Sequence, residues 1–531
     1  MTKKIKKVDA CIIGSGAGGG VIAKELAEQG LSVVILEAGP RFIPEKDFLD
    51  TTTSEWERGI REKSFITTSM GDYINAGKFP TRFNRAFGVG GTTLRYLGYA
   101  IRHLPEDFRV YSIDGVADDW PISYEDLAPY YRKVELTLGV SGLHGNPWTP
   151  MTEPYPNPPF KFSYANKVLK RGCDKLGIQL WPAPRAQQSR SSIGRPACVG
   201  AGVCTQGCIR RAKSSVDISY IPLAEKTGRA EIRPNSVAIQ VECDSHGRAK
   251  RVIYADHEGN QFSQAAKIVV LAAGTIHTPR LLLASASTLF PNGLCNGSGL
   301  VGKRLMDHAG VEVNASFNER IDSYRGIPGG AISMDFSRTS KNNSFTRGWM
   351  LQLHGGTMPS PISMAFGTPG WGSNHKKAVI NMFGRRAGIR PNCEQLPDER
   401  NKVELDSSAV DQYGVPLARI TYESFENDLK VQAAAKQQII DICEASGATE
   451  IFPNNPDPMF NSHPVGTCRM GNNSADSVIN KFCQSHEVPN LFITDGSCFV
   501  TNGTSNPSLT IQALATRTAE YIANEVKRKN I

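Results

Sequence analysis

The sequence predicts an α/β chain, α+β overall: a Rossmann-like dinucleotide-binding domain assembled from separated segments, and a discontinuous second domain built on an antiparallel sheet. Three stretches carry this. The chain opens with a strand, glycine turn, helix and strand in "KVDACIIGSGAGGGVIAKELAEQGLSVVILEAG". A second apolar strand, "KIVVLAAGT" at 267–275, again ends in a glycine. Later, "NKVELDSSAVDQYGVPLARITY" at 401–422 reads as two strands around a polar turn, consistent with an antiparallel sheet over the reactive face of a cofactor.

The first strand, Val8 to Ile13, is β-branched and apolar, as a strand buried on both faces is. Gly14 permits a tight turn, Gly16 lets a pyrophosphate approach the backbone, and Gly19 lets the helix pack on the sheet. The unpaired N–H groups of that helix face the phosphates. The second strand ends at Glu37, placed to accept hydrogen bonds from a ribose 2′-OH. In "GVGGTT" at 88–93, Gly88, Gly90 and Gly91 offer backbone N–H groups, and Thr92 and Thr93 offer hydroxyls, near a large planar cofactor. Gly274 and Thr275 approach it from the later strand. Near the C-terminus, "LTIQALATRTAEYIANEVKRK" has helical apolar spacing and seals the cofactor domain. That domain is expected over 1–110, 195–315 and 460–531, and the substrate domain over 111–194 and 316–459.

Composition narrows the classes. With 531 residues, 40 % hydrophobic and 21 % charged, the chain is an ordinary globular protein with room for two domains. A net charge of +9 without a basic stripe interleaved with aromatics argues against nucleic acid as a partner. No run approaches the ~18 apolar residues needed to cross a bilayer. The basic start "TKKIKK" and the apolar "ACII" run into "GSGAGGG", a strand and glycine turn rather than an export signal. Twelve dispersed cysteines form no disulfide framework, and a reducing compartment, the cytoplasm, is the expectation.

The fingerprint alone does not separate NAD from FAD. Six ordered motifs do: the glycines at 14–19, "GVGGTT" at 88–93, "AAGTIHTPRLLLAS" at 272–285, "VGKRLMDH" at 301–308, "HPVGTCRMG" at 463–471 and "NLFITDGSCFVTNGTSNPSLTIQALA" at 490–515. Together they resemble the glucose-methanol-choline (GMC) oxidoreductases, which are FAD enzymes. "GGTTLRYLGYAIRHLPEDF", with an aromatic at Tyr96, resembles the branch of bacterial gluconate, fructose and glucoside dehydrogenases. The resemblance implies that His463 is the active-site base and Asn506 its partner. An imidazole takes the hydroxyl proton of an alcohol near neutral pH while the carbinol hydrogen leaves as hydride. It further implies that Asp495 and Gly496 approach the ribityl or pyrophosphate part of FAD, although a turn or cap is the plainer role for Asp495. His308 is a second candidate, for packing near the cofactor more than for proton transfer. A metal at His463 and Cys468 lacks two further ligands at suitable spacing. Thr92 and Thr93 stand where some relatives carry a flavin-attached His, so FAD is expected to be noncovalent.

Cys198, Cys204 and Cys208 form a local cluster. The resemblance allows a [3Fe–4S] cluster there, as some enzymes of the branch carry one on a corresponding loop. Their first cysteine is commonly doubled, whereas Val199 follows Cys198 here. A thiol set packing a loop is the reading preferred, with the cluster and a disulfide as alternatives. The expected activity is oxidation of an alcohol group of a sugar, glycoside, aminosugar or polyol, with O2 or a redox partner subunit as electron acceptor. A partner subunit would also allow co-export to the periplasm. An FAD-retaining hydroxynitrile lyase is the alternative, and an electron-transfer scaffold the reading ranked last.

Overall fold

The computed structural model describes residues 7–48, 73–78, 81, 83, 85–308, 311–323, 325–354, 368–453 and 462–531. Strand β1 (Val8–Ile13) pairs in parallel with β2 (Val33–Leu36) on one side, Ala10 opposite Val33, and with β8 (Gln261–Leu271) on the other, Ala10 opposite Ile268. The parallel set is completed by β5 (Ala230–Arg233) beside β2 and β16 (Leu491–Ile493) beside β8. Strand β8 is long enough for two tasks. Its last six residues sit in the parallel core, and its first five pair antiparallel with β7 (Ala249–Ala255), which in turn pairs with β6 (Val237–Cys243). Residues Ala10, Cys11, Ile12, Val34, Ile35, Val269 and Val270 are buried: the helix Gly19–Glu28 packs on β1, β2 and β5, and Val241 and Val252 of the β6–β7 pair belong to the same apolar core. The helix Gly19–Glu28 packs against Ser508–Lys527, which also contacts Tyr124–Leu138. Trp120, Leu127, Tyr131, Val134 and Leu138 join this core, although they fall in the 111–194 segment.

The second sheet is antiparallel, in the order β15 (Glu450–Pro453), β9 (Val313–Ser316), β12 (Arg386–Cys393), β11 (Trp349–His354), β10 (Ala331–Ser333) and β4 (Trp181–Pro182). Period-two alternation divides its faces. Leu351, Leu353, Ala387 and Ile389 point to a core completed by Val168 and Leu169 of the helix Tyr164–Lys175 and by Val431, Ala435 and Ile439 of the helix Glu426–Ala445. Gln352, His354, Arg390 and Asn392 point the other way, into a cavity.

The 401–422 hairpin forms as expected, β13 (Lys402–Val410) and β14 (Pro416–Thr421), but not in that sheet. It makes a separate three-stranded sheet with β3 (Tyr73–Asn75). Val403, Ala418 and Ile420 bury against Ile276 and Leu305, so the hairpin covers the helix Gly274–Ala284 while β11 and β12 form the wall.

Candidate active site

Strands β1, β2, β8 and β16 all end at one cavity of about 820 Å³, the crevice that open parallel sheets use for ligands. Its floor includes Gly14 and Gly16 after β1, Glu37 after β2, Ala272 to Thr275 after β8, and Asp495 and Gly496 after β16. Gly91 packs directly on Gly16 at its edge: with φ +55°, a Cβ on Gly91 would stand 2.7 Å from the Gly16 Cα. Two strips of bare backbone therefore converge where the pyrophosphate of FAD would pass, and the residues present fit that group. Gly19 and Gly90 lie behind the wall. A Cβ on Gly19 would meet the Gly14 carbonyl at 1.9 Å, and Gly90 N–H donates to Ser15 Oγ at 3.0 Å.

The acidic residues are tied to the chain. Glu37 Oε2 accepts from Ser15 N–H at 3.0 Å and Ser15 Oγ at 2.6 Å, while Oε1 accepts from Gly39 N–H at 3.0 Å and Gly88 N–H at 3.2 Å. Its carboxylate thus locks the fingerprint turn to the 88–93 loop, and a ribose hydroxyl has to share these positions. Asp495 Oδ2 accepts from Gly274 N–H at 2.8 Å and Thr278 Oγ1 at 2.5 Å, and Oδ1 accepts from Ser497 N–H at 2.9 Å. Asp495 therefore caps the helix Gly274–Ala284 and a following turn while lining the cavity. Thr92 and Thr93 both line it as well; the Thr93 hydroxyl donates to Gly90 O at 2.6 Å and accepts from Val216 N–H at 2.9 Å.

At the other end stand His463 and Asn506, brought together from 43 residues apart, with His463 Nε2 3.0 Å from Asn506 Nδ2. His463 Nδ1 is 2.9 Å from His308 Nδ1, and His308 Nε2 is 2.9 Å from the Gly503 carbonyl. This chain of contacts fixes the protons. A carbonyl only accepts, so His308 carries its hydrogen on Nε2 and its Nδ1 accepts. His463 then donates from Nδ1, leaving Nε2 bare and accepting from the Asn506 amide. The order is consistent at its far end, where Gln352 Nε2 donates to Asn506 Oδ1 at 2.7 Å. Burial, then the neighbouring His308 and the charge of Arg390, hold His463 well below its ordinary pKa, and burial foremost lowers His308 to about 4. Both rings are neutral at neutral pH. The N-terminus of the helix Ser508–Lys527 follows directly, with Ser508 and Ile511 on the cavity wall.

The cavity also contains residues that the sequence reading did not single out: Gln352, His354, Arg390 and Asn392 on the second sheet, Tyr99, and the hairpin turn from Val410 to Val415. Ser15 lines the cavity and Asp307 lies behind it against the main chain of His308 and His463; their neighbours in sequence, Gly14 and His308, were the signal that could have found them. The thiols of Cys198, Cys204 and Cys208 take separate hydrogen bonds, from Gly200 N–H at 3.4 Å, Gln187 Nε2 at 3.1 Å and Lys213 N–H at 3.4 Å. Of this loop, Thr205 reaches the cavity. Among the described residues, no group of three His, Cys, Asp or Glu side chains is placed to hold a metal ion.

The sequence pattern of GMC oxidoreductases matches residues 65–310 and 397–515, and that of an NAD(P)-binding Rossmann-like domain matches 12–43. A 2-methyl-1,2-propanediol dehydrogenase of Mycolicibacterium austroafricanum is 36 % identical, across 98 % of this chain and 96 % of its own. This chain belongs to the GMC oxidoreductase family. Another similar member is the fructose dehydrogenase large subunit of Gluconobacter japonicus, 32 % identical across 99 % of this chain and 100 % of that one. The fold of this GMC oxidoreductase is also that of a solved formate oxidase of Aspergillus oryzae, with a TM-score of 0.72 at 15 % identity, covering 99 % of this chain and 100 % of that one. Among the described residues, no helix is long and apolar enough to cross a membrane.

Proposed function

We propose that this GMC oxidoreductase oxidises a CH–OH group of a sugar, glycoside, aminosugar or polyol, with His463 as the base. One observation carries the assignment: the polarised chain from Gly503 through His308, His463 and Asn506 to Gln352 leaves the unprotonated Nε2 of His463 facing an amide donor at the cavity wall. Bound FAD supplies the two-electron acceptor for the carbinol hydrogen. The donor hydroxyl replaces the 3.0 Å contact between His463 Nε2 and Asn506 Nδ2, hydrogen-bonding to both nitrogens in its place. Nε2 takes the hydroxyl proton, and the amide N–H stabilises the charge left on oxygen. Gln352 keeps that amide from turning its oxygen inward.

Gly14, Gly16, Gly91, Thr92, Gly274 and Gly496 would hold the cofactor through backbone groups, noncovalently. Yellow colour in an acid-precipitated pellet would contradict noncovalent binding. The thiol loop is read as a packing element, supported by the separate hydrogen bonds of its three sulfurs; iron and acid-labile sulfide in the pure protein would overturn this. The electron acceptor is O2 or a partner subunit, distinguished by whether the reduced protein reoxidises in air.

The decisive test is anaerobic mixing of FAD-loaded protein with sugars, glycosides, aminosugars and polyols while following visible absorbance. At least one donor should bleach the flavin. His463→Ala should keep fold and cofactor but slow bleaching at least about 100-fold. A near-normal rate in that variant removes His463 from its role, and turnover without bleaching would identify a lyase.

A further inference from the structure

For His463 to accept a proton, a buried imidazolium has to be tolerated. His308 and Arg390 both act against it. Asp307 is the acidic group built against these histidines, and it is fully buried. Its Oδ1 accepts the main-chain N–H of His308 at 2.7 Å and of His463 at 3.1 Å, and its Oδ2 lies 3.3 Å from the latter. Each of these contacts delivers a hydrogen to the carboxylate, so the pocket is shaped for the anion. Its own N–H donates to Gln395 Oε1 at 3.0 Å, and its carbonyl accepts from Asn502 Nδ2 at 3.2 Å. Asp307 therefore sits where the segments carrying His308, His463 and Asn502 to Asn506 meet.

We propose that Asp307 is a positioning residue of the oxidation: its carboxylate registers the main chain of both histidines and supplies the negative charge that a protonated His463 needs. This rests on His463 being the base. Binding energy alone does not require a carboxylate at this junction, since a neutral acceptor would satisfy the same N–H groups.

The charge is conditional on pH. Burial raises Asp307 to about 7 against the lowering effect of the backbone N–H groups and Arg390. The other groups facing the cluster are His103, felt by His308; Tyr422, which feels Asp307; and Asp428, bound to Gln395 Nε2 at 3.2 Å. His463 and His308 titrate well below this range, so a rise in flavin reduction through pH 7 belongs to neither imidazole; Glu394, the neighbour of Gln395, is also raised to about 7, and loss of the rise in Asp307→Asn is what assigns it to Asp307.

The test compares wild type, Asp307→Asn and Asp307→Glu, all FAD-loaded. The wild type should show an ascending limb in the rate of anaerobic flavin reduction near pH 7. Its His308 and His463 amide resonances, seen by selective 15N-histidine labelling, should titrate over the same range. Asp307→Asn keeps an acceptor oxygen but no charge. It should lose the limb and the amide titration and reduce flavin at least about tenfold more slowly at pH 8, with donor affinity little changed. Asp307→Glu restores the charge and should recover the limb at a lower rate; it also decides the matter if Asp307→Asn does not load FAD. A limb that persists in Asp307→Asn, or is missing in Asp307→Glu, overturns the proposal. If His463→Ala still reduces flavin, the base assignment fails instead, whatever Asp307 does.

Discussion

Gln352 never needs to touch a donor to matter. It fixes the Asn506 amide by donating to its Oδ1, so the Nδ2 hydrogens face His463. In Gln352→Leu that oxygen loses its buried partner, and the amide gains freedom to turn toward an imidazole nitrogen that cannot donate. Flavin reduction should slow about tenfold, with FAD still bound and stability reduced by roughly 1–3 kcal/mol; stopped-flow reduction and thermal melting check both. An unchanged reduction rate would show that Asn506 is held by other means. That His463 and Asn506 stand side by side was legible because each lies in a compact motif of the sequence. Gln352, Arg390 and Asn392 were not, because what selects them is the side of a strand they face, and that depends on which helices cover the opposite side. Glu37 was visible as a carboxylate at a strand end, but its four donors come from Ser15, Gly39 and Gly88, and only folding reveals how fully they occupy it.

Arg280 makes the hairpin turn part of the cofactor site. From the helix Gly274–Ala284 its Nε donates to Pro416 O at 2.7 Å and its Nη2 to Asp411 Oδ2 at 2.6 Å and Val415 O at 3.0 Å. Asp411 Oδ1 in turn accepts from Tyr413 N–H at 2.9 Å and Val415 N–H at 3.0 Å, so one arginine and one aspartate shape the whole turn. The same helix packs on β6, whose Val237 and Ala238 share the cavity with this turn. Arg280→Ala should therefore speed FAD loss several-fold, measured as rising fluorescence of released flavin, while leaving donor affinity in the loaded protein near normal. Equal release rates would show that the turn does not retain the cofactor. The strands and the glycine turns that follow them were readable, since β-branched runs and glycines act locally. Which sheet β13 and β14 join was not, because pairing with β3 is set by burial of Val403, Ala418 and Ile420 on a helix over a hundred residues earlier.

At the scale of the molecule, one buried arginine ties the two large cores together. Arg347 is 1 % exposed, and its guanidinium contacts Asp107, Asp114 at 3.4 Å and Glu394 at 2.9 Å. Asp107 precedes Phe108 of the first core, and Glu394 follows Cys393 of the second. One cation against three acids is incomplete compensation, and burial raises Glu394 to about 7 despite the attraction of Arg347. A carboxyl whose folded pKa lies above its unfolded value costs stability as pH climbs from about 4.5 through 7, and the cost is complete above that. Arg347→Met removes the only cation these contacts show and, with it, the attraction that lowers Glu394, so its penalty must grow with pH. Breaking a buried pair of this kind costs roughly 3–5 kcal/mol. Because the loss falls at the junction between cores, it should also uncouple them. Scanning calorimetry should show two separated transitions for the variant at pH 8, drawing together at pH 5.5 where Glu394 holds its proton. A penalty of equal size at both pH values would mean that the network's charge does not hold the cores together.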